Sequence, residues 1–185
     1  VGSEYIISAL FGYGYFNEVA VQNSAKALYF FALGLPAFSL IKIFSSFFFA
    51  THNTKTPFYI SLLSVALNIV ISIYYFKEIG FIIIPIATSI SSWINGILLF
   101  IFLKKDNLFS FNKQFTIRFI KIIFTSVFMG ILFNLLLIYF KDQLAFEQNM
   151  KSFYLILSVM MGLIFYLFIS YWIKAFKISE FKLNY

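Results

Sequence analysis

The sequence predicts an all-α, polytopic integral membrane protein with five transmembrane helices. Three observations carry that prediction. Mean hydropathy is +0.91, 62% of residues are hydrophobic and only 11% are charged, which leaves too little polar surface to cover a soluble core. Five long apolar runs fill most of the 185 residues, at about 27–50, 58–76, 81–103, 116–140 and 153–173. Each reaches the roughly 20 residues that cross a hydrocarbon layer of about 30 Å. Most of the charge sits in the short breaks between them.

Taken in order, the opening residues 1–23 read as the outer end of a preceding helix (Tyr5 to Phe11) followed by a loop. Residues 24–105 form a three-helix group, and residues 106–185 form a final helix pair with a tail. No basic segment precedes a short apolar one, so no signal peptide is expected, and the stretch reads as the tail of something longer. Pro36 and Pro85 fall inside the first and third runs and should kink them, because proline removes a helix hydrogen bond. Thr56-Pro57 reads as an N-cap followed by proline at the first helical position of the second run. Gly80 makes a tight turn between the second and third runs. Asp106-Asn107 ends the third.

The loops set an orientation. His52, Lys55, Lys104, Lys105, Lys113, Arg118, Lys174, Lys177 and Lys182 fall on one side. Glu4, Glu18, Lys26, Lys77, Glu78, Lys141, Asp142, Glu147 and Lys151 fall on the other. The first set holds the larger share of Lys and Arg, so the positive-inside rule places it, with the C-terminus, in the cytoplasm. That distribution also accounts for the net charge of +7 without nucleic acid.

Polar residues inside the runs fall on single faces. Ser61, Ser64, Asn68 and Ser72 recur at helical spacing in the second run, and Thr88, Ser92 and Asn95 repeat the device in the third. Such stripes either hydrogen-bond neighbouring helices together or line a hydrated cavity. Lys42 stands apart. It lies about 12 Å inside the first run at 1.5 Å per residue, where an amine costs about 2.5–3.5 kcal/mol. Snorkelling would relieve that cost; so would an internal cavity that receives an anionic ligand. In the last two runs the small or polar residues are Ser126, Gly130 and Asn134 on one helix and Ser158 and Gly162 on the other, and the Ser126/Gly130 and Ser158/Gly162 pairs are small-residue steps that let two backbones approach.

Parts for catalysis are missing from the sequence. It has no cysteine, one histidine and seven acidic residues, none of them inside an apolar run, and no glycine-rich phosphate loop. No catalytic residue, metal site or cofactor is expected, and the protein reads as something other than an enzyme.

Leu10-Phe11-Gly12-Tyr13-Gly14-Tyr15-Phe16, then Ala32-Leu33-Gly34-Leu35-Pro36-Ala37-Phe38 with Lys42, resemble the MurJ/MviN lipid II flippases. Lys55-Thr56-Pro57, Gly80, Ala87-Thr88-Ser89 and Trp93-Ile94-Asn95 extend the similarity, which is good from Leu10 to Leu103 and mainly hydropathic beyond. The resemblance implies the last five of fourteen helices in a transporter of the multidrug/oligosaccharidyl-lipid/polysaccharide superfamily. It implies a bacterial inner-membrane flippase for lipid II, working by alternating access around a cationic cavity. Lys42 matches a position that is often Lys or Arg in that family; with Asn68 and Asn95 it is the expected headgroup contact. The final pair, with Ser126, Gly130, Asn134, Ser158 and Gly162, is expected to hold the polyprenyl tail. Thr51 and Asn53 replace residues that often carry a basic group and an acid in the family, so a salt bridge in that loop is not expected. An exporter of another polyprenyl-linked oligosaccharide, or a drug exporter, is the alternative.

Overall fold

The computed structural model describes residues 2–106 and 112–175, and all of its regular structure is helical. The order is α1 (Ser3–Phe11), α2 (Glu18–Ala50), α3 (Lys55–Ile79), a 3₁₀ turn (Gly80–Ile82), α4 (Ile83–Lys105), α5 (Lys113–Tyr139) and α6 (Lys151–Trp172). The helices from α2 to α6 correspond to the five apolar runs. All are long and apolar enough to cross a bilayer, with α3 and α4 folding back on each other as one hairpin. Large apolar side chains such as Leu62, Ile73, Ile164 and Phe168 are exposed along them, a surface that only lipid or another protein can cover. Asn107, Lys177 and Lys182 lie outside the described residues.

Two compact units make up the chain, one of residues 1–22 with 111–185 and one of 23–110. The opening segment and the final pair, separate in the sequence reading, thus share a unit. In that unit Ala9, Leu137, Leu144 and Leu155 form a small buried cluster joined by Tyr5, Phe133 and Tyr154. In the other, Phe48, Ile60, Leu99 and Leu103 do the same work.

Local chemistry explains the helix ends, and in two places it differs from the sequence expectation. α3 starts at Lys55, not at Pro57, with Thr54 at the N-cap position and no side-chain cap bond of its own. Asn53 takes the capping role: its Oδ1 accepts from the Thr56 amide at 3.2 Å and its Nδ2 donates to Thr56 Oγ1 at 3.0 Å. Pro57 therefore sits in the first turn, where its absent N–H still costs nothing. Pro85 likewise falls in the first turn of α4, because Gly80–Ile82 turns the chain before that helix begins; it starts the helix and does not kink it. Gly80 has φ 72° and ψ −154°, a region open essentially to glycine alone.

Pro36 does lie within α2. Its ring removes the N–H that would serve the Ala32 carbonyl and crowds that turn. Donors from α4 serve carbonyls on either side: Trp93 Nε1 donates to Leu33 O at 3.0 Å, and Ser89 Oγ to Phe30 O at 2.5 Å. Gly34 allows this approach, since a Cβ there would stand 2.9 Å from Ser89 Oγ.

Candidate functional site

The α3–α4 hairpin closes on a polar seam. From α3 come Ser61, Ser64 and Asn68, from α4 Thr88, Ser91, Ser92 and Asn95, and from α2 the apolar Phe38 and Ile41. Together they line a groove of about 440 Å³. The i, i+3 and i, i+4 spacing on each helix places these residues on one stripe, and the Gly80 turn brings the two stripes face to face.

Within the seam most hydroxyls are satisfied locally. Ser64 Oγ donates to Ile60 O at 2.9 Å, Thr88 Oγ1 to Ile84 O at 2.8 Å and Ser92 Oγ to Thr88 O at 2.6 Å. Such back-bonding to the preceding turn is what serine and threonine do in apolar helices. Asn68 instead reaches across, its Nδ2 donating to Thr88 Oγ1 at 3.0 Å and to Ser91 Oγ at 3.4 Å. Asn95 is 7% exposed, and its Oδ1 is buried with no hydrogen-bond partner among the described residues. An orphaned acceptor away from water costs about 1–3 kcal/mol. The seam thus holds two helix-to-helix bonds, both from Asn68, and the unused acceptor of Asn95.

Lys42 is exposed on α2, one turn beyond Phe38 and one residue beyond Ile41. Its ammonium is not part of the groove lining, and it has no hydrogen bond or ion pair among the described residues. The structure therefore brings Asn68 and Asn95 into one groove and leaves Lys42 beside it, uncommitted.

In the other hairpin the contacts fall one residue away from the expected ones on α5. Ser158 and Gly162 of α6 are buried, Ser158 with its hydroxyl on Tyr154 O at 2.8 Å. Opposite them Met129 fills the space that Gly162 leaves, at 3.7 Å from where a Cβ would be. Thr125 and Leu137 are the buried residues of α5, whereas Ser126 and Asn134 are exposed and a Cβ on Gly130 would meet nothing within 4 Å. One residue is about 100° of helix rotation. The notch is filled by a long flexible thioether and not by a second small residue, so Ser126, Gly130 and Asn134 stay on an outward face.

Two lysines escaped the sequence reading. Lys151 counts there only as a loop charge, yet it is 1% exposed, with Nζ donating to Gly12 O at 2.6 Å and Phe146 O at 2.7 Å. It also lies over the rings of Tyr13 and Phe146 at 4.4 and 4.6 Å. Ser152 Oγ donates to Ala9 O at 2.6 Å and meets Tyr13 Oη at 2.7 Å, so the end of α1 is tied to the start of α6. Lys121, inside the fourth run, donates to Ile173 O at 2.8 Å and so caps the end of α6. Its place in an apolar run was the available signal; nothing in the sequence announces the Lys151 contacts.

Apolar helices with one shared polar seam define a polytopic integral membrane protein whose interior polarity is concentrated between two helices. The family model described as "Lipid II flippase MurJ" matches residues 1–185. The chain is 35% identical over 178 residues to a probable lipid II flippase MurJ of Thermotoga maritima, which covers 96% of this chain and 33% of that protein. Similar matches are the probable lipid II flippases MurJ of Rickettsia prowazekii (31% identity, 84% of this chain and 30% of the relative) and Borreliella burgdorferi (30%, 92% and 33%). This chain belongs to the MurJ family, and it spans about a third of the length of these relatives.

Proposed function

We propose that this chain forms the last five membrane helices of a flippase for lipid II in the bacterial inner membrane, with the C-terminus cytoplasmic. The relatives are named for that substrate. The observation that carries the reading is the orphaned Asn95 Oδ1 beside Asn68 in the α3–α4 groove. A buried acceptor held without a partner costs about 1–3 kcal/mol, and a donor brought by a ligand in the groove would offset that cost. Asn68 and Asn95 offer amide donors and acceptors to the sugar or pyrophosphate of the headgroup. The free Lys42 ammonium supplies positive charge to the same ligand as it passes. The outward face of α5 carrying Ser126, Gly130 and Asn134 lies against the polyprenyl tail. Alternating access would expose the groove to one side of the membrane and then the other, and it needs the remaining two thirds of the transporter. No protein partner is assigned.

The full-length protein carrying Lys42→Ala tests this in cells depleted of their own flippase. Wild type and Lys42→Arg should restore growth and cell shape, and Lys42→Ala should not. Intact wall synthesis with Lys42→Ala would assign Lys42 to snorkelling. Residues 1–185 alone should fail to restore growth; success would contradict the proposed division of the cavity.

A further inference from the structure

A second pocket lies in the other unit, where α5 ends and α2 begins. It has about 300 Å³ and is lined by Glu4, Ser8, Glu18 and Lys141 together with apolar walls that include Val21 and Phe146. Glu4, Glu18 and Lys141 are exposed, and none of them has an ion pair or side-chain hydrogen bond among the described residues. Ser8 is 5% exposed, and its hydroxyl is buried without a partner in the wall of this pocket. In an apolar helix that hydroxyl would ordinarily bond to its own preceding turn. Its failure to do so is independent of the acidic pair and marks a hydrogen-bonding group kept for something in the pocket.

The charge pattern narrows what that something is. Two carboxylates alone would suit a metal ion, but an ammonium in the same wall repels one. Lys141 alone would suit an anion, which the carboxylates oppose. A ligand carrying a primary ammonium and a phosphodiester on a short link satisfies both, and the volume has room for about ten water-sized groups. The pocket opens where α5 stops at Tyr139 and Lys141-Asp142 follow, the boundary at which the chain leaves the hydrocarbon. Phospholipid headgroups are concentrated at that level.

We propose that this pocket binds the headgroup of an aminophospholipid, with Glu4 and Glu18 receiving the ammonium, Lys141 the phosphate and Ser8 a headgroup oxygen. Phe146 links the pocket to the rest of the unit: its carbonyl and ring are both held by Lys151, which also holds Gly12. A bound headgroup therefore rests on a wall that ties α1 to α6. The site is independent of the α3–α4 groove.

The test is lipid retention by the full-length protein, taken from nanodiscs containing equal phosphatidylethanolamine and phosphatidylglycerol, stripped with detergent and weighed by native mass spectrometry. Phosphatidylethanolamine should be retained on the order of tenfold over phosphatidylglycerol, the ratio of one good charge-assisted contact. The Glu4→Gln/Glu18→Gln variant should bring the two lipids within about twofold, and Lys141→Gln should lower phosphatidylethanolamine retention as well. These residues are exposed, so circular dichroism should show the helices unchanged. Equal retention in the wild type, or a preference that survives the double substitution, overturns the proposal. So does a Mg²⁺-dependent rise in melting temperature that the double substitution abolishes while lipid retention stays equal, since that assigns the pocket to a metal ion. Lipid retention is read without reference to flipping, so failure here leaves the flippase reading standing.

Discussion

The two helical hairpins, α3–α4 and α5–α6, have similar lengths and similar apolar content, but their shared faces are built on opposite rules. Between α3 and α4 the seam is polar, with Asn68 bonded across it to Thr88 and Ser91 and Asn95 left unbonded. Between α5 and α6 the seam is closed by Thr125, Met129, Leu137, Ser158 and Gly162, each hydroxyl bonded within its own helix. Polar bonds appear at its ends, where Lys121 takes Ile173 O and Lys151 takes Gly12 O and Phe146 O. In hydrocarbon the apolar driving force between helices is absent, so what separates a groove from a packing face is the polar inventory of the seam. The first hairpin keeps a spare amide acceptor inside its groove; the second satisfies the hydroxyls of its middle and, among the described residues, leaves one buried hydroxyl unpaired, Ser170 Oγ, near the end of α6.

Substitutions can break or sharpen that contrast. The largest effect is expected at a rim. Lys151→Ala strands the buried Gly12 carbonyl and the part-buried Phe146 carbonyl and removes two ring contacts, and should lower stability by about 3 kcal/mol, read by thermal melting of the full-length protein. Gly34→Ala comes next: its Cβ would stand 2.9 Å from Ser89 Oγ and 3.3 Å from Ser89 Cα, so the α2–α4 approach must open at a cost of about 1–3 kcal/mol. Asn68→Leu should cost about 1 kcal/mol, because Thr88 and Ser91 keep their own carbonyl bonds when it is lost. A larger loss would make the α3–α4 seam a packing device like its counterpart. The smallest effect is expected at Gly162→Ala, whose Cβ meets only Met129, a flexible neighbour at 3.7 Å. A change within about 0.5 kcal/mol is predicted, and a severe one would mean that the α5–α6 backbones are closer than this packing requires.

Much of this was legible from residue order. The helix-forming runs, the Gly80 turn and the polar stripes through Asn68 and Asn95 follow from periodicity, because spacing decides which side chains share a face. The ends were less so. Asn53 outcompeted Thr56 as a cap because its longer side chain reaches both the amide and the hydroxyl of that residue. The rotation of α5 was hidden because a small-residue motif names a face that permits close approach without requiring it, and Met129 could fill the Gly162 notch instead. Lys151 was illegible for a different reason. Its partners Gly12 and Tyr13 are about 140 residues away in the chain, and carbonyls and ring faces leave no charge pattern to find.

Replacing Asn95 with Leu tests the contrast most directly, with stability and rescue of flippase-depleted cells measured on the same full-length protein. The substitution removes the orphaned acceptor, so stability should hold or rise while rescue is lost. A variant that is clearly less stable yet still restores wall synthesis would show that Asn95 holds helices together and that the groove serves packing alone.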